Sequence, residues 1–345
     1  MQNKKLFYIN LIYYIAIISV AIVFVLGYLD VFKSNILTTI LLQIVIITAI
    51  PIILYSLLVS KSVKQTFSDF GFKKLSGTLL GFSIVIALVL YFLNVFVAES
   101  FASIIHILGF ENVIPALSIS NQEVLSEFIL TACLPGFCEE ILHRGMMLNG
   151  CKKHGFTRYG LIFSSLLFGL MHLNILQFFY ATILGVFMGI SVLATESIWT
   201  GVIIHFTNNF LSIYFSFNKG WPLQNLERYI SSQFAKLNPI VFVITTSCIM
   251  ILLIYIFKLL ISKIYKYKFN LQAEKLAEVL KTETENLTSE ERVEEINKRL
   301  NELSIKKLET IKDNNQSSFV DKIFLYSSIC LGSFATIFSF IVGIL

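Results

Sequence analysis

Apolar runs of membrane-spanning length constrain this chain more than anything else in it. We read nine: residues 7–29, 36–59, 77–98, 124–148, 159–175, 177–195, 198–217, 239–261 and 320–344. About 20 apolar residues cross the hydrocarbon core as a helix. With no water to satisfy open backbone groups, such runs form helices rather than irregular structure. Composition agrees. Only 14% of the 345 residues are charged and 56% are hydrophobic, with mean hydropathy +0.76; a soluble domain is about a quarter charged. The expected fold is an all-α, polytopic membrane bundle of eight to nine transmembrane helices. Pro51 and Pro135-Gly136 mark kinks within spans.

The net charge of +5 is not a nucleic-acid signal, because it divides by region. Residues 270–315 hold 8 Lys/Arg against 11 Asp/Glu, and the remainder holds 19 against 11. Basic clusters follow Met1 (Lys4, Lys5), precede span three (Lys61, Lys64, Lys73, Lys74), follow span four (Lys152, Lys153, Arg158) and end span eight (Lys258, Lys263, Lys266, Lys268). All fall on one side if the N-terminus is cytoplasmic. The intervening loops carry Glu99, Glu111 and Glu123 or little charge. Lys4 and Lys5 lead into a run too long for a cleavable leader and without a small-residue cleavage site, so it reads as a first span.

This divides the chain into N-terminal helices (1–123), a polar-marked core (124–217), a further span (218–268), a charged segment (269–318) and a last span (319–345). Ala102 to Phe110 is apolar but too short to span, and is expected in the interface. Within 269–318, Leu271, Leu276 and Leu280, then Val293, Ile296, Leu300 and Leu303, fall near helical spacing. Thr288 and Glu291 are placed as a capping box. A cytoplasmic helical hairpin is expected, either a solvated linker or a protein-partner site at 270–315. The five cysteines, Cys133, Cys138, Cys151, Cys248 and Cys330, are odd in number, lack CxxC spacing and lie mostly in apolar segments. They read as packing residues rather than a disulfide or zinc framework.

Against this apolar background stands Cys138-Glu139-Glu140-Ile141-Leu142-His143-Arg144. A charge at the bilayer centre costs roughly 2.5–3.5 kcal/mol on the mildest scale. Glu140 and Arg144, four apart on one helix face in the favourable order, read as a structural ion pair. Glu139 projects about 100° away and needs another explanation. Pro135 takes away the backbone bond to the Thr131 carbonyl and Gly136 loosens the same turn, so a cavity beside Glu139 is expected. His172 lies in span five; His205 and Asn209, four apart, lie on one face of span seven. Counted from the cytoplasmic ends at about 1.5 Å per residue, all four reach similar depth.

Any one of these side chains taken alone reads as an interhelical hydrogen bonder. Together they suggest hydrolysis. An ionised Glu139 and a neutral His172 bind one water between them, with Glu139 the stronger candidate base. His205 and Asn209 then donate to the developing oxyanion. A metal variant fits the same residues: Glu139, His172 and His205 would fill three positions of a Zn²⁺ site and leave one for water. No HExxH motif is present, and the sequence leaves metal and metal-free chemistry open.

At these residues the chain resembles the CPBP family, the CAAX prenyl proteases and bacteriocin-processing (Abi) enzymes. Glu139-Glu140-x-x-x-Arg144 is similar to the family's EExxxR, Phe168-x-x-x-His172 to FxxxH, and His205-x-x-x-Asn209 to HxxxN. Order, spacing and placement on successive spans agree over residues 124–212. The resemblance implies a glutamate-dependent intramembrane endopeptidase, often described as a metalloprotease. Glu139 and His172 would activate water, and His205 and Asn209 would form the oxyanion hole. His143 departs from the family, which has an aromatic or apolar residue before the arginine. Four after Glu139, it reads either as a tuning group or as a surface residue at the cytoplasmic end.

The implied substrate is a peptide or membrane protein. The Ile-, Lys- and Asn-rich composition points to a bacterial plasma membrane, where a prenylated substrate is not expected. Two other classes compete. A non-catalytic immunity or scaffold protein would act through the 270–315 hairpin, and a transporter would use the buried acids and histidines as a proton relay. No inverted repeat supports the second.

Overall fold

The computed structural model describes residues 2–28, 35–107, 124–216, 223–283 and a few helical positions between 291 and 299. Among these residues every regular element is a helix. We label them α1 (Gln2–Tyr28), α2 (35–60), α3 (Val63–Asp69), α4 (Gly77–Ile107), α5 (124–153), α6 (Thr157–Leu170), α7 (Ile175–Thr195), α8 (Ile198–Ser216), α9 (Gln224–Phe234) and α10 (Pro239–Glu283).

Two helices are not uniform. In α2 the turns widen to π-type over Leu41–Ala49 and Ser56–Ser60; in α5 they widen over Phe128–Cys133 and Ile141–Asn149. Pro51 and Pro135 stand immediately after two of these stretches. A proline removes one helical donor, and a widened turn is one way for the neighbouring carbonyls to re-pair. Such turns also occur often at functional sites.

Two large apolar clusters hold the bundle, with two smaller ones beside them. One joins α1, α2, α5 and α6 through Leu6, Ile9, Tyr13, Ile47, Met146 and Leu167. The other joins α4, α6, α7, α8 and α10 through Leu90, Phe168, Leu184, Met188, Ile204 and Phe257. α6 contributes to both, with Leu167 in the first and Phe168 in the second. Gly136 allows a close α5–α8 approach, since a Cβ there would lie 3.1 Å from the Phe206 backbone.

Among the described residues five helices are long and apolar enough to cross a membrane: Gln2–Gly27, Ile36–Ser60, Gly77–Ile105, Ile175–Thr195 and Pro239–Leu276. They correspond to expected spans one, two, three, six and eight. The expected fourth, fifth and seventh spans are helical but do not qualify. α6 has only 14 residues, and α5 and α8 carry the polar motif residues. Two other expectations change. Residues 102–107 continue α4 rather than forming a separate interfacial element. Residues 269–283 continue α10 with no break at 268. The ninth span and most of the hairpin's second arm lie outside the described residues.

Candidate active site

The pairing expected within α5 is present, and it is fully buried. Arg144 Nη1 donates to Glu140 Oε1 at 2.8 Å with both side chains completely buried. Arg144 Nη2 also donates to the Gly185 carbonyl at 3.2 Å, and its guanidinium lies 4.5 Å from the Phe168 ring centre. Burying two charges is expensive unless hydrogen bonds satisfy them, and these contacts do so in part: among the described residues Glu140 Oε2 and Arg144 Nε have no hydrogen-bond partner.

The same Glu140 oxygen receives a second donor, His205 Nδ1 at 3.0 Å. An arginine-paired carboxylate offers only lone pairs, so Nδ1 carries the hydrogen. In the neutral ring the lone pair is then at Nε2, and His205 donates to an oxyanion only as the imidazolium. Glu140 is therefore more than Arg144's partner: it orients His205 across the α5–α8 boundary. Gly201 faces the same carboxylate, with room for nothing larger, since a Cβ would sit 2.5 Å from Oε2.

His172 lies in the turn after α6. Its Nδ1 is 2.8 Å from the Phe168 carbonyl. A carbonyl only accepts, so Nδ1 donates and Nε2 keeps the lone pair. Glu139 is half-buried, and its Oε1 accepts from Gln43 Nε2 on α2 at 2.8 Å.

Asn209 is tied down at both ends. Its Nδ2 donates to the Thr131 carbonyl at 3.0 Å, the carbonyl for which Pro135 has no N–H. Its Oδ1 accepts from Asn208 at 3.2 Å, and Asn208 in turn accepts from Asn94 of α4 at 3.0 Å. One Asn209 N–H is left over for a ligand.

Phe168 organises these groups. The rings of His143, His172 and His205 meet it edge-on, with centroids at 5.1, 5.1 and 5.2 Å. His143 is not a surface residue, as one reading of the sequence had it. It is fully buried, with Nδ1 2.9 Å from the Tyr13 hydroxyl of α1.

Among the described residues no three His, Cys, Asp or Glu side chains gather to hold an ion. His205 and His172 each place Nδ1 on an oxygen, of Glu140 and of the Phe168 backbone, which leaves Nε2 of either ring for a further partner. Two cavities are lined by residues other than Glu139. One, about 500 Å³, is lined by Phe72, Lys74 and Trp199; the other, about 810 Å³, lies among α4, α9 and α10.

Residues 121–211 match the family described as Rce1-like, type II CAAX prenyl endopeptidase. No curated protein and no solved structure gives a significant match. The Rce1-like segment covers about a quarter of the chain and contains Glu139, Glu140, Arg144, His172, His205 and Asn209. Gln43 and Tyr13 lie outside it. The sequence reading missed both, and the available signal for Gln43 was one amide inside an otherwise apolar span.

Proposed function

We propose that this protein is a CPBP-type intramembrane endopeptidase in which Glu139 and His172 activate water. The observation that carries this reading is the His172 geometry. With Nδ1–H held by Phe168, Nε2 can accept from a water shared with the Glu139 carboxylate. Glu139 takes one proton as the water oxygen attacks the peptide carbonyl carbon. The oxyanion receives the spare Asn209 N–H, and the His205 Nε2–H when that ring is charged. The C–N bond then breaks as Glu139 returns the proton to the leaving nitrogen, giving a carboxylic acid and an amine.

The helices carrying the site, α5, α6 and α8, cross the bilayer with the five apolar ones. The N-terminus and the basic loops face the cytoplasm of a bacterial cell, and the site opens toward that side. The substrate is a peptide or a membrane-protein segment.

Purified protein in lipid nanodiscs, given a farnesylated CAAX-type peptide and its unfarnesylated counterpart, tests the reaction. Comparing the proteome of a Glu139→Ala strain with its parent names the substrate. Cleavage that survives Glu139→Ala would reject the assignment.

A further inference from the structure

Gln43, which lies outside the Rce1-like segment, donates directly to Glu139. It sits in the first widened turn region of α2 and is 5% exposed. Its Nε2 is 2.8 Å from Glu139 Oε1. The carboxylate accepts, so the amide is oriented with nitrogen toward Glu139 and oxygen away. That oxygen, Gln43 Oε1, is buried and has no hydrogen-bond partner among the described residues. An unsatisfied buried acceptor costs on the order of 1–3 kcal/mol. An α-helical interior in an apolar span would be served better by Leu or Ile than by an amide with one idle end.

We propose that Gln43 is a positioning residue with two tasks: its Nε2 fixes the Glu139 carboxylate, and its Oε1 accepts a backbone N–H from the bound peptide. The first task leaves Glu139 Oε2 for the attacking water. The second ties the peptide backbone to the group that holds the base, so that substrate and carboxylate share one frame. Displacing a catalytic group by about 1 Å can cost on the order of 100-fold in rate. This inference rests on Glu139 being the base. The contact itself does not depend on that reading.

Two substitutions separate the tasks. Gln43→Glu keeps an acceptor oxygen and replaces the amide donor with a second carboxyl that shares a proton with Glu139; Gln43→Met keeps the length and loses both. In nanodiscs, with the farnesylated CAAX-type peptide as probe, both should lower kcat by about 10- to 100-fold. KM should stay within about two-fold of the parent in Gln43→Glu and rise in Gln43→Met. A role in packing alone predicts no such division. Parent-like kcat in Gln43→Met overturns the proposal.

A thermal-unfolding cycle of Gln43→Met, Glu139→Leu and the double variant provides a readout free of activity. Non-additive shifts in Tm support the contact and additive shifts overturn it. A parent that cleaves neither peptide would count against the function, and this cycle would still decide on Gln43.

Discussion

Replacing Glu140 with Gln leaves Arg144 charged and fully buried, with no solvent to take over. Breaking one side of such a pair costs about 3–5 kcal/mol. Glu140→Gln should therefore lower Tm sharply in detergent, and Glu140→Leu combined with Arg144→Met should recover much of the loss. Asn209→Ala should behave differently. On the proposed mechanism it removes one oxyanion donor, worth roughly 10²–10³ in rate, so kcat should fall while activity stays measurable. Residues of these two kinds differed in how far the sequence revealed them. The Glu140–Arg144 pair was legible because four-residue spacing on a helix is local geometry. The His205–Glu140 contact was not, because it joins α5 to α8 and depends on how closely Gly136 and Gly201 let them approach. His143 failed for the same reason: only the position of α1 shows that Tyr13 covers it.

At the scale of elements, the α7–α8 turn is held from two sides. Glu196, in a left-handed conformation at φ +58°, pairs with Lys268 of α10 at 2.7 Å and with Lys73 at 3.2 Å. Partial burial would raise its carboxyl. The hydrogen bond and charge of Lys268, then Lys152 and Lys73, outweigh that and hold it at about 2. A folded value below the ordinary one stabilises the fold above the ordinary carboxylate range. That stability is lost as pH falls through about 2. Glu196→Gln should show a smaller fall in Tm than the parent over that window, in melts recorded at stepped pH. The effect should be modest, because the group is 43% exposed and salt screens it. Gly201→Ala tests the α5–α8 contact. Its methyl would press on Glu140 Oε2, which Arg144 and His205 prevent from yielding freely. Catalysis should drop about ten-fold or more by misplacing His205, and circular dichroism should show the helices intact. Hydropathy located the helices well where they are plain lipid-facing rods. It was least secure at α5, α6 and α8, because the side chains that build the site also dilute the apolar signal.

For the molecule as a whole, the Rce1-like segment is flanked by helices that complete it. α1 supplies Tyr13 to His143 and α2 supplies Gln43 to Glu139. The motifs in the sequence pointed to the central quarter and were silent on these flanks, since Tyr and Gln at single positions carry no pattern. The orientation rests on the distribution of Lys and Arg. Single cysteines introduced at Lys74 and Glu99 should be labelled by an impermeant thiol reagent from the cytoplasmic and outer sides respectively. The reverse would invert the topology. The central claim, that one glutamate in the membrane activates water, is tested most directly by a single comparison. Parent and Glu139→Gln proteins, each folded in nanodiscs, are given the same farnesylated and unfarnesylated peptides, and product is measured by mass spectrometry. The account predicts cleavage by the parent at one peptide bond and a loss of at least about 10³-fold in Glu139→Gln, since a glutamine cannot take the proton. Cleavage by Glu139→Gln at the parent's rate would contradict it.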